Sequence, residues 1–390
     1  MSLGHTILAQ ILDGLYPSEF RRCAEHYPTT RDTPALSAYD HFATMIFAQL
    51  TYRESLRDIE ACLNARRSLL YHCGIRGNIT RTNLAYANEH RNARLFAEVA
   101  SLLMRRAGLL YAGCAETTLK LDGELFAIDS TLIDLSLAIF PWARWQGTQA
   151  AVKLNVMLAV TPELPEFCTL VAGGVHDVNF LDDVSFKAGG YYTLDRGYVD
   201  YKRLYQIDQA GAWFVTRAKS NMSYYVIDSR PVDKTGGLRC DQTIRLNTSK
   251  AMRDYPKALR RIHYYDDETQ NYLVFLTNNF ALPALIVAAV YKRRWEIELF
   301  FRWIKQHLRL RGFFSNNHNG VAVQIWTALC AYLLVAIAHK QLALPGSLHR
   351  TLQIISISAL EKVPLHELVM KNNTRIDLID IPIQLELNGF

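Results

Sequence analysis

Residues 291–305 read Tyr-Lys-Arg-Arg-Trp-Glu-Ile-Glu-Leu-Phe-Phe-Arg-Trp-Ile-Lys and combine charge with a high density of aromatic side chains. In a single α-helix, with about 100° between successive residues, Tyr291, Arg294, Glu298 and Lys305 fall within roughly 60° of one another. A buried helix carries such ionisable groups only where they are paired or meet a ligand such as phosphate or a metal ion. An ordinary exposed ion pair would contribute about 0.2–0.5 kcal/mol, and the aromatic side chains argue against that alternative.

The overall composition is that of an ordinary globular protein. The 390 residues are 50% hydrophobic and 21% charged, and the net charge of +6 favours polyanionic partners without identifying one. The seven cysteines form no Cys-x-x-Cys pair, so neither a zinc site nor a disulfide framework is indicated. No secretory signal is recognised at the amino terminus. The apolar run 322–338 is interpreted as a buried core helix and not as a membrane span.

The first 110 residues have helical periodicity and are rich in arginine. Apolar residues recur at helical spacing in residues 7–15, 41–50, 55–63 and 95–103. The region has thirteen arginines and no lysine, and arginine favours bidentate contact with phosphate. The helical segments at 55–63, 69–74 and 82–104 suit a DNA-binding helix-turn-helix order. A solvated helical face explains the same charges, and the pattern does not decide between the two.

Beyond residue 120 the pattern changes to strands and helices in alternation. The predicted strands are residues 125–135, 151–161, 167–175, 191–195 and 212–217, with a helix at 198–209. A β-rich insertion is predicted from the short runs at 224–227, 243–246, 262–265 and 272–277. Helical pattern returns from Pro283 to about Leu310 and over residues 321–341. This order predicts a mixed α/β sheet.

Three acids stand where a sheet-based site is expected. Asp129 interrupts an apolar strand, where a charge is costly unless it is neutralised, and Asp195 ends a strand before Arg-Gly. Glu298 on the predicted helix is the third candidate, because a long helix can bring a carboxylate across the strand ends. Carboxylates that converge on hard cations are the requirement of two-metal phosphoryl chemistry. Five other acids compete for the role: Asp122, Asp134, Asp177, Asp182 and Asp183.

Three motifs in order resemble one enzyme family. The helix matches Tyr-x2-Arg-x3-Glu-x6-Lys at every position, and Ile-Asp-Ser-Thr and Leu-Asp-Arg-Gly-Tyr precede it. Phe214–Lys219 and Leu276–Asn279 extend the similarity, which spans about residues 120–340. The chain resembles the DDE transposases of bacterial insertion sequences, in the group called insertion-sequence family four.

The resemblance implies a ribonuclease-H-like fold, with a mixed sheet flanked by helices, and a metal-dependent reaction on DNA. Asp129, Asp195 and Glu298 match the metal-binding triad, which takes two Mg²⁺ ions or Mn²⁺ as a substitute. The matches to groups that grip DNA are Tyr291, Arg294, Lys305 and, through stacking on unpaired bases, Trp295. The implied reaction is cut-and-paste transposition by hydrolysis and strand transfer at terminal inverted repeats. Whether a hairpin intermediate forms is left open.

The predicted organisation follows from the same resemblance. An all-α DNA-binding domain is expected at 1–115, a catalytic domain at 120–217 with 280–345, a β-rich insertion at 218–279 and a tail at 346–390. Double-stranded DNA at element ends and target is the expected partner, with a homodimer in the synaptic complex and no membrane. We expect a cytoplasmic protein that joins the nucleoid when it binds DNA.

Lys153 and the pair His176-Asp177 resemble positions in related proteins. A solvated lysine and a loop cap explain them as well, and one of them is expected to approach the rim of the site. Two other functions stay open: a catalytically idle DNA-binding relative, and a ribonuclease-H-like nuclease with another nucleic-acid substrate.

Overall fold

The computed structural model describes residues 4–28, 36–112, 119, 121–307 and 312–373. The helices are α1 (Ile7–Leu12), α2 (Pro17–Glu25), α3 (Ala38–Leu50), α4 (Leu56–Asn64), α5 (Arg67–Leu70), α6 (Arg81–His90), α7 (Ala93–Tyr111), α8 (Tyr201–Gln209), α9 (Ser249–Asp254), α10 (Ala284–Lys292), α11 (Trp295–His307), α12 (His318–Gln341), α13 (Leu348–Ser358) and α14 (Leu365–Asn373). The strands are β1 (Leu125–Leu135), β2 (Arg144–Gln146), β3 (Gln149–Ala159), β4 (Leu164–Ala172), β5 (Tyr191–Leu194), β6 (Trp213–Arg217), β7 (Tyr224–Arg230), β8 (Leu238–Leu246), β9 (Leu259–Asp266) and β10 (Asn271–Thr277).

The chain divides into two compact units, residues 1–110 with 307–390 and residues 111–306. In the first unit, helices α1, α3, α6 and α13 pack against α12. Helix α12 is long and apolar enough to cross a membrane, but its most apolar window is completely buried within the structure. This confirms the interpretation as a core helix. The unit boundary near residue 306 differs from the predicted catalytic-domain boundary at 345, because α12 packs with the N-terminal helices.

The helical pattern predicted from residue 82 to 104 is broken in the structure. Helix α6 ends at His90 and α7 begins at Ala93, because Asn319 of α12 satisfies the backbone between them. Its side-chain amide donates to the carbonyls of Asn88 (2.8 Å) and Arg91 (2.7 Å), and its oxygen accepts from the Ala93 N–H (3.1 Å). These contacts cap the end of one helix and the start of the next. A contact across 228 residues cannot be read from local periodicity.

The second unit is built on one ten-stranded mixed sheet, which confirms the predicted α/β class. Its strand order is β2-β3-β1-β5-β6-β10-β9-β8-β7, and β4 pairs with β3. The β1–β5 and β5–β6 pairs are parallel, and the other neighbouring pairs are antiparallel. All nine predicted β segments are strands, with bounds that shift by a few residues. The strands of the predicted insertion continue the sheet through the β10–β6 pair.

Helices cover both faces of this sheet. Buried Phe126, Ile128 and Phe214 pack on one face with residues of α8 and α9. Alternate residues point to the opposite face, where Phe275 of β10 contacts the ring of Tyr291 at 5.0 Å between centroids. Because Ile128 faces α8, its neighbour Asp129 faces α10 and α11.

The Leu-Thr-Asn-Asn motif at the end of β10 has a structural role. The Asn278 side chain accepts from the Phe214 N–H (2.9 Å) and donates to the Ala212 carbonyl (2.9 Å). The side-chain oxygen of Asn279 accepts from the backbone N–H groups of Ala281 (3.0 Å) and Leu282 (2.8 Å). The motif therefore fixes β6 and the chain that enters α10.

The prediction of one helix from Pro283 onwards is wrong. Helix α10 ends at Lys292 and α11 starts at Trp295, with Arg294 in the turn between them. At this turn the backbone hydrogen bonds span three residues, as in a 3₁₀-helix. The Arg294 N–H donates to the Tyr291 carbonyl (3.0 Å) and the Ile297 N–H donates to the Arg294 carbonyl (3.2 Å). Such bonds tighten the turn. The predicted end near Leu310 lies outside the described residues.

Candidate active site

Strand register brings the first two predicted acids together. The parallel ladder between β1 and β5 ends with Ile128 opposite Leu194. Asp129 and Asp195 are the next residues on their strands, so both leave the ladder at the same edge. The ends of parallel strands are where α/β sheets form their sites. This strand register therefore brings together Asp129 and Asp195, which are 66 residues apart in sequence.

The Asp129 carboxylate is largely buried, with 19% of its side chain exposed. Its Oδ1 accepts a hydrogen bond from the Ser130 backbone N–H at 2.8 Å. Burial raises its pKa to about 6, although the Ser130 N–H and the Arg294 guanidinium both act to lower it. The negative charges of Asp195 and Glu298 raise it further. The structure therefore brings all three predicted acids into electrostatic contact.

Arg294 connects two of these acids. Its guanidinium donates to Asp129 Oδ2 at 3.0 Å and to Glu298 Oε1 at 2.5 Å. The turn between α10 and α11 makes this possible, because Arg294 precedes the helix that carries Glu298. The Nε atom of Arg294 is buried and makes no hydrogen bond to any described residue. The guanidinium thus neutralises the carboxylates and keeps a donor for a further acceptor.

Asp195 lies next to Tyr291, the tyrosine of the signature. The buried Tyr291 hydroxyl is 3.5 Å from Asp195 Oδ1, and the Thr216 hydroxyl donates to the Asp195 carbonyl at 3.3 Å. Burial and the charge of Asp195 raise the pKa of Tyr291, while the Arg294 charge lowers it. The phenol is therefore kept protonated, as a donor next to the carboxylate.

The other two predicted DNA contacts lie further along α11. Burial lowers the pKa of Lys305, and the charge of Asp134 partly offsets this. Trp295 is 50% exposed, and the Arg302 guanidinium lies 6.0 Å from the centre of its ring. The structure thus groups Tyr291 with Asp195 and Arg294 with Asp129 and Glu298.

Sequence reasoning did not assign a buried polar cluster behind Asp129. The Lys153 ammonium lies 2.5 Å from Asp177 Oδ1, and the Ser130 hydroxyl donates to the same oxygen at 2.8 Å. The structure thus places Lys153 and Asp177 next to Ser130, the residue that follows Asp129; their approach to the rim of the active site stays a prediction. The sequence feature that could have indicated this cluster is a lysine within an apolar strand, because a buried charge is costly unless it is paired.

The donor set suits a hard divalent cation. Carboxylate oxygens are the ligands that Mg²⁺ and Mn²⁺ prefer, and a buried carboxylate with a raised pKa needs a positive partner. In the described parts of the chain, no three His, Cys, Asp or Glu side chains converge closely enough to hold a metal as they stand. The Arg294 guanidinium pairs with both Asp129 and Glu298. A cation at these acids would take its place.

Comparison with known families matches most of the chain. The family described as Transposase DDE domain matches residues 120–334, and one described as Domain of unknown function (DUF4372) matches residues 3–76. A Sinorhizobium fredii protein named transposase y4zB is 36% identical over 66% of this chain and 71% of its own length. The Geobacillus stearothermophilus protein named for insertion sequence element IS5377 is 28% identical over 62% of this chain and 64% of its own length.

A Synechocystis protein named for insertion sequence element IS4SA is 21% identical over 69% of this chain and 75% of its own length. A cryo-EM structure of a piggyBac transposase synaptic complex with hairpin DNA aligns with 95% of this chain and 84% of that chain. Its TM-score of 0.43 and identity of 11% do not establish a common fold. The matched DDE domain covers more than half of the residues. The chain therefore belongs to the DDE transposases of insertion sequences.

Proposed function

We propose that this transposase cuts and joins DNA at the ends of its insertion sequence, with Asp129, Asp195 and Glu298 as its divalent-metal ligands. The observations that carry this proposal are that Arg294 bonds both Asp129 and Glu298 and that the β1–β5 register places Asp195 beside Asp129, although 66 and 103 residues separate the three acids in sequence. A structural ion pair between Arg294 and a single acid would not require the other two. The family membership supports the same reading.

The sheet supports a ribonuclease-H-like fold for the catalytic domain. Strands β4-β3-β1-β5-β6 run in the order and directions of that fold, with β1, β5 and β6 parallel. The sequence motifs support the finer assignment to insertion-sequence family four. The catalytic domain proposed from them is residues 120–217 with 280–345, and residues 218–279 form its β-rich insertion.

The acids would hold the metal and the neighbouring side chains would hold the DNA. Mg²⁺, or Mn²⁺ in its place, would activate an attacking oxygen and neutralise charge at the transferred phosphate. Arg294 would exchange its carboxylate partners for a phosphate oxygen, for which its Nε donor is available. The Tyr291 hydroxyl would donate to the same backbone, and Lys305 would neutralise a second phosphate. The exposed indole of Trp295 would stack on an unpaired base.

The arginine-rich helices support an N-terminal DNA-binding domain at 1–115. Among the described residues, Arg57, Arg66, Arg67, Arg76 and Arg81 are all exposed, and exposed arginines bind phosphates without sequence preference. Pairing two element ends requires two copies of the chain, so we propose a homodimer in the DNA complex. DNA as substrate supports location in the cytoplasm, at the nucleoid.

The test is strand cleavage on duplexes that carry the terminal inverted repeats flanking the gene. Asp129→Asn and Glu298→Gln should abolish Mg²⁺-dependent nicking while they leave DNA binding within about twofold. Asp134→Asn is the matched control, because it removes an exposed acid from the same strand. Nicking by either active-site variant at the wild-type rate would refute the assignment.

A further inference from the structure

Lys153 is a buried cation near one edge of the sheet. It lies on β3, only 7% exposed, and its Nζ donates to the Val175 carbonyl and to Asp177 Oδ1, both at 2.5 Å. Its partner Asp177 has 40% of its side chain exposed, so only the lysine end of this ion pair is buried. Burying the ammonium group costs free energy unless it is paired, and the contacts with Val175 and Asp177 offset that cost.

The ion pair connects to Asp129 through one residue. Asp177 Oδ1 also accepts from the Ser130 hydroxyl at 2.8 Å. The Ser130 backbone N–H in turn donates to Asp129 Oδ1 at 2.8 Å. Ser130 and Asp129 point to opposite faces of β1. The cluster thus holds the residue whose peptide N–H orients the Asp129 carboxylate, from the face opposite to Arg294.

Strand β1 needs such support at this point. Its pairing with β5 ends at Ile128, whereas its pairing with β3 continues to Leu135. From Asp129 onward the strand has one neighbour, so its position on the other side depends on side chains. Ser130 is the second residue of β1 beyond its pairing with β5, and its hydrogen bond to Asp177 supports the strand there.

The segment that carries Asp195 reaches the same cluster. Asp195 precedes a short turn, and the Tyr198 N–H donates to the Asp195 carbonyl at 3.0 Å. The Tyr198 side chain is 2% exposed. The turn Arg196–Tyr198 packs against the turn Asp177–Asp182. The segment that follows Asp195 therefore lies next to the residue that accepts from Ser130.

We propose that Lys153 and Asp177 are positioning residues of the active site, which hold Ser130 so that its N–H aims the Asp129 carboxylate at a divalent cation. The inference rests on the proposed metal-binding role of Asp129. Lys153 acts by fixing Asp177, and Asp177 acts by accepting from the Ser130 hydroxyl. Neither residue touches the DNA or the metal.

A simpler role for the Lys153–Asp177 pair is to anchor the turn Asp177–Asp182. The structure offers a second ion pair on the same turn as a control for this alternative. The other end of this turn is held by Asp182, which accepts from Arg203 of α8 at 2.8 and 2.6 Å. That pair makes no contact with Ser130. If anchoring the turn were the whole role, breaking either end would have the same effect on Asp129.

The experiment measures Mn²⁺ binding to the full-length protein without DNA, by the electron paramagnetic resonance signal of free Mn²⁺. Ser130→Ala should weaken binding about tenfold, the usual loss when an outer partner of a metal ligand is removed. Ser130→Thr keeps the hydroxyl and should restore affinity. Asp182→Asn should bind as the wild type does. Equal weakening by Asp182→Asn and Ser130→Ala would overturn the proposal.

A second pair of variants separates positioning from folding. Lys153→Met with Asp177→Asn keeps an acceptor for Ser130 that Lys153 no longer fixes, so its Mn²⁺ affinity should fall by about threefold. Lys153→Met with Asp177→Leu removes the acceptor as well and should bind about tenfold more weakly than wild type, with the same melting temperature as the first double variant, because both lack the ion pair. Equal Mn²⁺ affinity in the two double variants would overturn the proposal.

Asp129→Asn identifies the source of a negative result. If Asp129→Asn binds Mn²⁺ as tightly as wild type, the metal-binding role of Asp129 fails and the positioning role fails with it. If Asp129→Asn abolishes binding while Ser130→Ala leaves it unchanged, the metal site stands and only the positioning role is lost.

Discussion

The guanidinium of Arg294 lies 3.0 Å from the carboxylate of Asp129, across 165 residues of sequence. The same guanidinium also bonds Glu298. Arg294 thus provides the positive charge beside these two acids. If Asp129 and Glu298 hold a metal as proposed, the metal and Arg294 would compete for the same carboxylate oxygens.

Replacing Arg294 should change the titration of Asp129. The Arg294 charge lowers the pKa of Asp129, so Arg294→Gln should raise that pKa above its present value of about 6. Carbon-13 NMR of labelled aspartate carboxyl groups would measure the shift. Arg302→Gln is the control, because Arg302 is an exposed cation on α11, the helix that follows Arg294. An unchanged Asp129 titration in Arg294→Gln would contradict the observed pairing.

The pH dependence of metal binding follows from the same carboxylate. Its pKa is raised from 3.8 to about 6, so a proton competes with the metal below that pH. Mn²⁺ affinity should fall by up to about tenfold for each unit of pH below 6 and level off above 7. A pH titration of binding would measure this. A constant affinity between pH 7 and 5 would exclude Asp129 as a ligand.

The stability of the metal-free protein should have the opposite pH dependence. A group whose pKa is higher in the folded state stabilises the fold when it is protonated. For Asp129 this contribution is lost as the pH rises through about 6 and is fully present below 3.8. It amounts to about 2–3 kcal/mol. Urea unfolding of wild type and Asp129→Asn at pH 5 and 8 would isolate it, since the variant cannot ionise.

The buried pair Asp241–Arg260 should dominate the stability of the sheet extension. Arg260 donates to both oxygens of Asp241, at 2.9 and 2.7 Å, and the side chains are only 4% and 6% exposed. Asp241→Ala leaves a buried cation unpaired and should cost about 3–5 kcal/mol in urea unfolding. Glu268→Ala, which breaks the exposed pair with Lys292, should have no measurable effect. Similar losses in both variants would contradict this assignment.

Removing the Trp295 indole should weaken DNA binding but not folding. The side chain is half exposed, so Trp295→Ala should change the free energy of unfolding by less than about 0.5 kcal/mol. Loss of one base stack should weaken binding to frayed element ends by about 1–3 kcal/mol. A fluorescence anisotropy titration would measure it. Tyr272→Ala, an aromatic residue 59% exposed on β10, should bind normally, and a loss of the same size there would refute the role.

Local pattern was sufficient for the strands and for the candidate acids. The predicted bounds of β1 match the structure at both ends, because a short run rich in apolar and β-branched residues is recognisable from near neighbours alone. Asp129 was recognisable because a charge within such a run is costly. The break at Arg294 was not recognisable, since neither glycine nor proline marks it. The cap on Arg91 depends on Asn319, which is far away in sequence.

The amino-acid sequence by itself determined the α/β class and the positions of nine strands along the chain, because periodicity within apolar segments acts between near neighbours, and it indicated three candidate acids. Only the tertiary structure decided that Arg294 stands between Asp129 and Glu298, that α12 packs with the N-terminal helices, and that Asp177 reaches Ser130. Those relationships depend on strand register and on side-chain contacts between distant segments. Such contacts form only when the whole sheet and its covering helices have assembled.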